Sequence, residues 1–461
     1  MNILFISRFE YYEPLGTMYL SAFLKQRGID CRYLDIKFEK DLAREIRRIS
    51  PDIIAYSITT GQSKFYRQLN IDLKKQFRFF AVFGGPHCTF FPEYIHEEGV
   101  DAICRGEGEY ALLDLVTALD QKKDITKIDN LWVKVDGKVY KNEVRNLVED
   151  LDALPFPDRE MLDKYRHFRK MPRKTVMTGR GCPFKCTYCF NHSYNKLYRG
   201  KGRVVRKRSI ENVIEELKRL LGTYKLRRFQ FWDDTFNIDY RWTMDFCEAY
   251  RKEINIPFSI TPRVNLVDEE MVRALKNAGC VTIGTSVESG NEYLRNKVLK
   301  RNISEKQTIE ACDLFNKYGI HILMGNMLGL PDETLEMAFE TLNFNIRCKP
   351  TYAWVSIFQP FPRTELSNYS IEKGYFDGNL ETLDGSFYKK SALKLKDIEK
   401  IERLHHLFSV AVAFPRLIPV IKVLIRLPLN RLYRVIFILH KSWCYFTKLK
   451  YIEFSEMFIR R

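Results

Sequence analysis

The sequence has no low-complexity tract, no internal repeat and no recognisable signal peptide at its start, MNILFIS. These absences argue against disorder and predict a cytoplasmic protein. The eleven cysteines are odd in number and scattered, which indicates reduced thiols rather than a disulfide framework. With 461 residues, of which 45% are hydrophobic and 29% charged, the chain is typical of a globular protein with two or three cores.

Residues 1–150 alternate short apolar runs with helical segments. The runs NILFIS, DIIAYSI and FFAVFGG are apolar throughout, so they predict strands of a doubly wound, Rossmann-like α/β sheet covered on both faces. Ligands of such sheets bind at the carboxyl ends of the strands. The candidate ligand loops are Tyr12–Gly16, Ser57–Gly61, Gly84–His87 and Arg105–Glu109.

A second domain follows a connector rich in proline. We assign residues 151–170, which include DALPFPDRE, to a linker. Residues 171–370 hold six strand-like runs with helical segments between them, a pattern that predicts a βα barrel or partial barrel with its chemistry at the strand ends. Residues 371–461 form a third, helical region that is both basic and apolar.

Three cysteines stand close together in RGCPFKCTYCF. Cys182, Cys186 and Cys189 have the spacing CxxxCxxC, and such density in a reducing compartment indicates bound metal rather than free thiols. One interpretation is a zinc site with His192 as the fourth ligand. The other is a 4Fe–4S cluster with three irons held by cysteine and the fourth open to an exogenous ligand.

This motif, with Tyr188 before the last cysteine and a strand before the first, resembles that of the radical S-adenosylmethionine (radical SAM) superfamily. The resemblance implies that S-adenosylmethionine chelates the open iron and that Tyr188 lies at the cofactor. It also implies that an electron from the cluster cleaves the sulfonium to a 5′-deoxyadenosyl radical, which abstracts hydrogen from the substrate. A flavodoxin or ferredoxin is then the expected reductant.

The resemblance extends along the predicted barrel and implies further contacts with S-adenosylmethionine. In FWDDTF, Asp233 or Asp234 is assigned to the methionine amino group, and Arg263 in TPRVN to the carboxylate. Glu288 in TSVESG is assigned to the ribose, and Gly329 in GNMLGLPDET to adenine. The alternatives are that the two aspartates cap a helix and that Glu288 is a plain surface residue.

The N-terminal region resembles the cobalamin-binding domain that part of this superfamily carries. The resembling stretches are PLGTMYLSAFLKQRGIDCRYLDI, GGPHCTFFPE, RGEGE and LPFPDR. The implied cobalamin-binding residues are Leu15, Gly16, Ser57, Thr59, Gly84, Gly85, Gly106 and Glu107. The sequence lacks the DxHxxG loop of other cobalamin enzymes, and we do not expect His87 to coordinate cobalt. It also has Arg363 in FPRTEL where the family usually has glycine, which makes this side chain a candidate contact for an anionic substrate.

Three functions remain open at this point. The first is a cobalamin-dependent radical methyltransferase acting at an unactivated carbon of an unknown small molecule, with a lipid-like substrate as one hypothesis. The second is a radical oxidative cyclase or rearrangement enzyme with the same cofactors but no methyl transfer. The third is a non-catalytic cobalamin- or metal-binding protein with zinc at the cysteines. We favour methyl transfer by analogy, because it is the commoner role among the resembling enzymes.

The C-terminal region has no acidic residue between Glu402 and Glu453, whereas nine Lys or Arg lie there. No uncharged stretch in it reaches the roughly 18–20 residues that span a bilayer. Its cations stand at near-helical intervals among aliphatic residues, which suits a helix on the inner surface of the membrane, through residues 403–450. The alternative is a helical pair that closes the barrel mouth with its cations solvated. No nucleic-acid-binding module is recognisable, and none is expected.

Overall fold

The structure is a computed structural model and describes residues 1–8, 13–379, 382–383 and 386–449. The chain divides into two compact units. The first contains residues 1–171 and 193–208, and the second contains residues 172–192 and 209–461. Tyr12 of the first predicted ligand loop and Lys450 of the predicted membrane segment lie outside the described residues.

The first unit is built on a seven-stranded sheet with the strand order β2-β1-β3-β4-β5-β6-β7. Its strands are β1 (Asn2–Ser7), β2 (Asp30–Asp35), β3 (Ile53–Ser57), β4 (Phe80–Gly84), β5 (Ala102–Cys104), β6 (Leu131–Val135) and β7 (Lys138–Lys141). Strands β1 to β5 pair in parallel, and β6 and β7 add an antiparallel hairpin at one edge. The predicted doubly wound sheet is confirmed.

Helices connect these strands, as expected where parallel strands require crossovers. They are α1 (Leu15–Lys25), α2 (Leu42–Ile49), α3 (Ser63–Lys74), α4 (Gly85–Phe90) and α5 (Glu109–Asp120), whereas α6 (Arg166–Lys170) follows the last strand of the sheet. Strand β1 lies between β2 and β3, so the chain turns to opposite sides of β1 after its first two strands. The gap between the ends of β1 and β3 is therefore the topological switch point, where ligands of such sheets bind.

The second unit contains a six-stranded parallel sheet with the order β15-β14-β13-β12-β11-β8. These strands are β8 (Arg173–Val176), β11 (Arg228–Phe231), β12 (Phe258–Ile260), β13 (Cys280–Glu288), β14 (His321–Leu328) and β15 (Tyr352–Ile357). Three short elements lie along the chain between β8 and the next long helix: β9 (Gly179–Arg180), α7 (Phe190–Leu197) and β10 (Arg206–Lys207). Six parallel strands with β8 and β15 at the two edges form the predicted partial βα barrel.

Its helices are α8 (Ile210–Thr223), α9 (Tyr240–Glu253), α10 (Glu269–Asn277), α11 (Glu305–Lys317), α12 (Leu335–Cys348) and α13 (Glu365–Glu372). Each begins after a Ser, Thr or Asp whose side chain accepts a hydrogen bond from a backbone N–H of the first turn. Such caps satisfy donors that a helix leaves unpaired, so the sequence fixes where each helix begins.

The C-terminal region adds α14 (Ile398–Ala413), α15 (Ile418–Leu424) and α16 (Asn430–Trp443) to the second unit. Buried residues of α14, such as Leu404 and Phe408, pack with Val355 and Ile357 of β15 in one apolar cluster. The described part of the chain contains no helix that is both long and apolar enough to cross a membrane.

Candidate functional site

The three clustered cysteines line one cavity of about 400 Å³ in the second unit. They lie in the loop that follows β8 and β9, on the side where the parallel strands end. Cys186 is buried, and Cys182 and Cys189 are partly exposed. The Cys182 sulfur lies 3.6 Å from the hydroxyl of Thr235, which follows β11. The loop thus brings three thiols to the end of the sheet.

One loop supplies the three thiols that a cluster with three cysteine ligands requires. His192 lies 3.9 Å from the Glu365 carboxylate. Burial raises the pKa of Cys189 to about 12, so its thiolate needs a cation beside it. A 4Fe–4S cluster supplies that charge and takes each thiolate on a different iron.

The structure separates the two aspartates that follow β11. Asp233 is buried, and its carboxylate accepts a hydrogen bond of 2.8 Å from the Thr178 hydroxyl. Its carbonyl oxygen accepts one of 2.6 Å from the Thr261 hydroxyl. Asp234 is exposed and lines the cavity. Asp233 therefore ties neighbouring strand ends together, and Asp234 is the carboxylate that is available to a ligand.

Tyr188, Glu288 and Arg301 form a network on the cavity wall. The Tyr188 hydroxyl donates to Glu288 Oε1 over 2.9 Å, and Arg301 Nη1 donates to the Tyr188 oxygen over 2.7 Å. Arg301 also pairs with Glu288 at 3.3 Å and donates to the Ser286 carbonyl at 2.6 Å. Glu288 has a backbone φ of +64°, which is uncommon for a residue other than glycine. Arg301 is buried and the other two residues are half-buried, and their mutual bonds hold the three side chains in one arrangement.

Arg301 was missed by sequence reasoning. It stands in KRNISE, where a cation looks like an ordinary solvated residue, and no spacing relates it to the cysteine motif. Its burial in the structure is the feature that identifies it, because a buried arginine requires polar or charged partners.

Arg263, which follows β12, lies beside the cysteine loop. Its guanidinium carbon is 3.6 Å from the ring centre of Phe184, a residue between the first two cysteines. Nε donates to the Asn265 side chain over 2.8 Å, and Nη2 donates to the Arg301 carbonyl. Burial and the neighbouring Arg301 lower the pKa of Arg263, whereas Cys186 and Cys182 act in the opposite sense. Arg263 lines the cavity and is placed to meet an anionic group.

Gly329 is not among the residues that line the cavity. It has a φ of +73°, and a side chain there would lie 3.3 Å from Ile398. Its N–H donates to the Glu333 carboxyl, which also accepts from the N–H of Leu330. Burial raises the pKa of Glu333 to about 8. The structure thus assigns Gly329 a turn that this carboxyl closes, whereas Gly325, four residues earlier on β14, does line the cavity.

Arg363 adopts a left-handed backbone conformation that glycine takes more readily. Its φ is +65°, and the side chain is exposed. It is not among the cavity-lining residues.

In the first unit, the predicted ligand residues fall into two groups. Leu15 and Gly16 begin α1, the helix that follows β1. Ser57 ends β3 and Thr59 lies just after it, so these four stand at the topological switch point. A side chain added at Gly16 would meet nothing within 4 Å, which leaves open space for a ligand there.

Gly84 ends the neighbouring strand β4, and Gly85 begins α4. Gly85 has a φ of +87°, and a Cβ there would lie 2.8 Å from the backbone N of Ile58. The backbone is therefore closely packed at this strand end. His87 is buried, with its ring stacked on Phe91 at 5.0 Å between centres.

Gly106 and Glu107 are occupied by contacts within the first unit. A Cβ at Gly106 would lie 1.8 Å from the Tyr198 hydroxyl. Glu107 forms an ion pair of 2.9 Å with Arg206 and accepts a hydrogen bond from the N–H of Val148. These contacts explain why residues 193–208 belong to the first unit. They also leave these two residues less available to a cofactor than those at the switch point.

Comparisons with known proteins match both regions of the chain that carry these candidate sites. A model of the radical SAM superfamily matches residues 176–344, and a model of the B12 binding domain matches residues 1–116. An uncharacterized methyltransferase of Pyrococcus horikoshii is 33% identical over 78% of each chain. The anaerobic magnesium-protoporphyrin IX monomethyl ester cyclase of Rubrivivax gelatinosus is 28% identical, over 77% of this chain and 66% of that protein.

The hopanoid C-3 methylase of Methylococcus capsulatus is 26% identical over 77% of this chain and 68% of its own. Among solved structures, the radical S-adenosylmethionine methyltransferase TsrM from Kitasatospora setae superposes with a TM-score of 0.68 at 17% identity, over 81% of this chain and 75% of that chain. The cobalamin-dependent enzyme OxsB gives 0.64 at 21% identity, over 84% and 57%. These two structures share the fold.

Three observations identify the family of this chain. They are the cysteine loop at the cavity, the topological switch point in the first unit and the extended match to relatives. The chain belongs to the radical SAM enzymes that carry a cobalamin-binding domain, and its cofactors are a 4Fe–4S cluster, S-adenosylmethionine and cobalamin.

Proposed function

We propose that this enzyme transfers a methyl group to an unactivated carbon of a small molecule. The observation that carries the proposal is the 33% identity to an uncharacterized methyltransferase over 78% of each chain. The 26% identity to a hopanoid methylase supports the same reaction class and a lipid-like substrate.

The cavity supports assignments for the residues that would hold the cofactors. Cys182, Cys186 and Cys189 would ligate the cluster, and Asp234 and Arg263 would meet the amino and carboxylate groups of S-adenosylmethionine. When bound, the cluster and S-adenosylmethionine together supply a carbon-centred radical, and cobalamin supplies the methyl group. The chain itself binds and orients them, because the cavity walls carry fixed polar groups.

Glu288 would receive the ribose hydroxyls, with Tyr188 and Arg301 as positioning residues. The carboxylate already bonds both side chains, so its orientation is set before a ligand arrives. In the first unit, Gly16, Ser57 and Thr59 would contact cobalamin at the switch point. The expected electron donor is a flavodoxin or ferredoxin, and the scattered free cysteines support a cytoplasmic location.

A cyclase is the second candidate, because a magnesium-protoporphyrin ester cyclase is 28% identical over 77% of this chain. The experiment that separates the two is anaerobic. The enzyme, loaded with iron, sulfide and hydroxocobalamin, is reduced and incubated with S-adenosylmethionine bearing a deuterated methyl group.

Mass spectrometry then follows 5′-deoxyadenosine, S-adenosylhomocysteine and methylcobalamin. We expect labelled methylcobalamin together with 5′-deoxyadenosine. 5′-Deoxyadenosine with unlabelled cobalamin would contradict methyl transfer and favour the cyclase.

A further inference from the structure

Helices α15 and α16 present an apolar surface to the outside of the second unit. Most of the exposed large apolar side chains of the described chain lie here, between residues 414 and 443. We call this surface the α15–α16 face. It is formed by Phe414, Leu417, Val420, Val423, Leu427, Leu429, Leu432, Val435, Ile438, Leu439 and Trp443.

On α16 the exposed apolar residues follow helical spacing. Leu432, Val435 and Leu439 lie at positions i, i+3 and i+7, and they are 51%, 52% and 65% exposed. A different stripe of the same helix is buried: Tyr433 packs in one cluster with residues of α14 and β15, and the Phe437 ring lies 5.7 Å from that of His405 on α14. The helix is therefore apolar on two sides, and only one of them is used to pack the unit.

Cations border this face. The exposed cations are Arg416, Lys422, Arg426, Arg431, Arg434 and Lys448. Within the described residues, none of them is in an ion pair, and residues 403–449 include no carboxylate. A surface that is both apolar and positively charged matches the interface of an anionic bilayer, with aliphatic side chains below the headgroups and cations among them.

A second copy of this chain does not match the face in the same way. Two copies paired through it would bring two sets of unpaired cations together, and like charges in contact are unfavourable. Pro415, Pro419 and Pro428 keep the helical segments short, which suits a surface helix rather than a spanning one.

We propose that the α15–α16 face docks the enzyme on anionic membrane surfaces. This proposal does not depend on which reaction the enzyme catalyses. The C-terminal end of the same segment contacts the wall of the cavity, because Cys444 and Leu449 pack in one cluster with Leu323 and Trp354. Docking therefore brings the cavity-bearing unit to the bilayer, where a lipid-borne substrate would be found.

The test is flotation of the full-length protein with vesicles. Vesicles of phosphatidylglycerol and phosphatidylcholine are compared with vesicles of phosphatidylcholine alone, at low and high salt. We expect binding to the anionic vesicles and a strong decrease of binding with salt. Failure of the wild-type protein to float with anionic vesicles at low salt overturns the proposal.

Two variants separate the apolar and the charged contributions. The triple variant L432S/V435S/L439S is expected to lower the partition coefficient at least about tenfold, with Ile371→Ser as an exposed apolar control. The variant R426Q/R431Q/R434Q is expected to lower it about a hundredfold. Its control, K225Q/R241Q/K306Q, removes the same charge from other exposed positions and should bind as the wild type does.

Two outcomes would contradict the proposal in other ways. Undiminished binding of the apolar triple variant would mean that the face does not insert into the bilayer. A wild-type dimer that this variant converts to a monomer, without vesicle binding in either, would assign the face to self-association. Cleavage of S-adenosylmethionine without vesicles, unchanged in all variants, shows that the folded enzyme is present and keeps this test separate from that of methyl transfer.

Discussion

The cavity and the α15–α16 face belong to the same unit, yet their charged side chains differ in burial and in pairing. In the cavity, Arg301 is buried and bonded to Tyr188, Glu288 and a carbonyl oxygen. On α16, Arg434 is exposed and has no ion-pair partner among the described residues. A buried charge costs several kcal/mol unless it is paired, whereas an exposed one costs little.

This difference indicates what each region binds. Mutually bonded side chains fix one geometry, which suits a small ligand of defined shape. Outward-facing cations beside aliphatic residues impose no such geometry, and they suit a broad anionic surface.

The largest effect is expected from a substitution among the cysteines of the cavity. We expect Cys186→Ala to abolish the cluster and all cleavage of S-adenosylmethionine, because the site loses one of its three thiolates. Cobalamin should stay bound, since its predicted residues lie in the other unit. Anaerobic absorption spectra and 5′-deoxyadenosine yields measure this, with Cys247→Ala on α9 as the matched buried-cysteine control. Cleavage retained in Cys186→Ala would remove the cysteine assignment.

Replacing one arginine in each region tests the comparison directly. Arg301→Leu should lower the free energy of unfolding by about 3 kcal/mol, because Glu288 is left without its cation. Arg434→Leu should change it by less than about 0.5 kcal/mol. Chemical denaturation of the full chain measures both.

Arg301→Leu should also weaken S-adenosylmethionine binding about tenfold or more, with partial rescue in Arg301→Lys. Equal stabilities for Arg301→Leu and Arg434→Leu would refute the contrast between the two regions.

Glu333 extends this contrast, because it is a buried carboxyl that pairs with no cation in the described part of the chain. Its pKa is raised to about 8 in the folded chain, against about 4.3 when unfolded. The unfolded state therefore releases its proton first, and stability falls as the pH rises from about 4.3 to about 8. Glu333→Gln removes this titration. The free energy of unfolding of the variant, relative to that of the wild type, should therefore increase with rising pH, by at most about 1.4 kcal/mol per unit of pKa difference. Denaturation at pH 5, 6.5 and 8 checks this, and parallel curves for both proteins would contradict it.

The smallest effect is expected on the exposed face. Leu439→Ser should leave the free energy of unfolding within about 0.5 kcal/mol of the wild type, because the side chain is 65% exposed. Leu404→Ala on α14, a fully buried position, should cost about 2–5 kcal/mol. Thermal unfolding of the two variants compares them. A large loss in Leu439→Ser would show that another part of the chain covers this face.

Much of the fold follows from local patterns in the sequence. Uniformly apolar runs with helices between them predict parallel sheets in both units, and residues directly after a strand lie at the ligand edge. Asp234 and Arg263 reach the cavity for this reason, and the cysteine loop follows the first strand of the second unit.

Other features depend on contacts between residues far apart in the chain. Gly106 and Glu107 look like ligand residues in RGEGE, yet Tyr198 and Arg206, about a hundred positions later, occupy them. Arg301 becomes part of the cavity because it meets Tyr188 across the sheet end. Neither periodicity nor residue spacing in the sequence predicts such pairs, because tertiary packing brings them together.

The cavity at Cys182, Cys186 and Cys189 is expected to hold a cluster with one open iron. Electron paramagnetic resonance of the reconstituted, reduced protein tests it most directly, with iron and zinc analysed in the same sample. We predict about four irons per chain and a signal that shifts when S-adenosylmethionine is added. One zinc per chain, with no paramagnetic signal after reduction, would contradict this assignment.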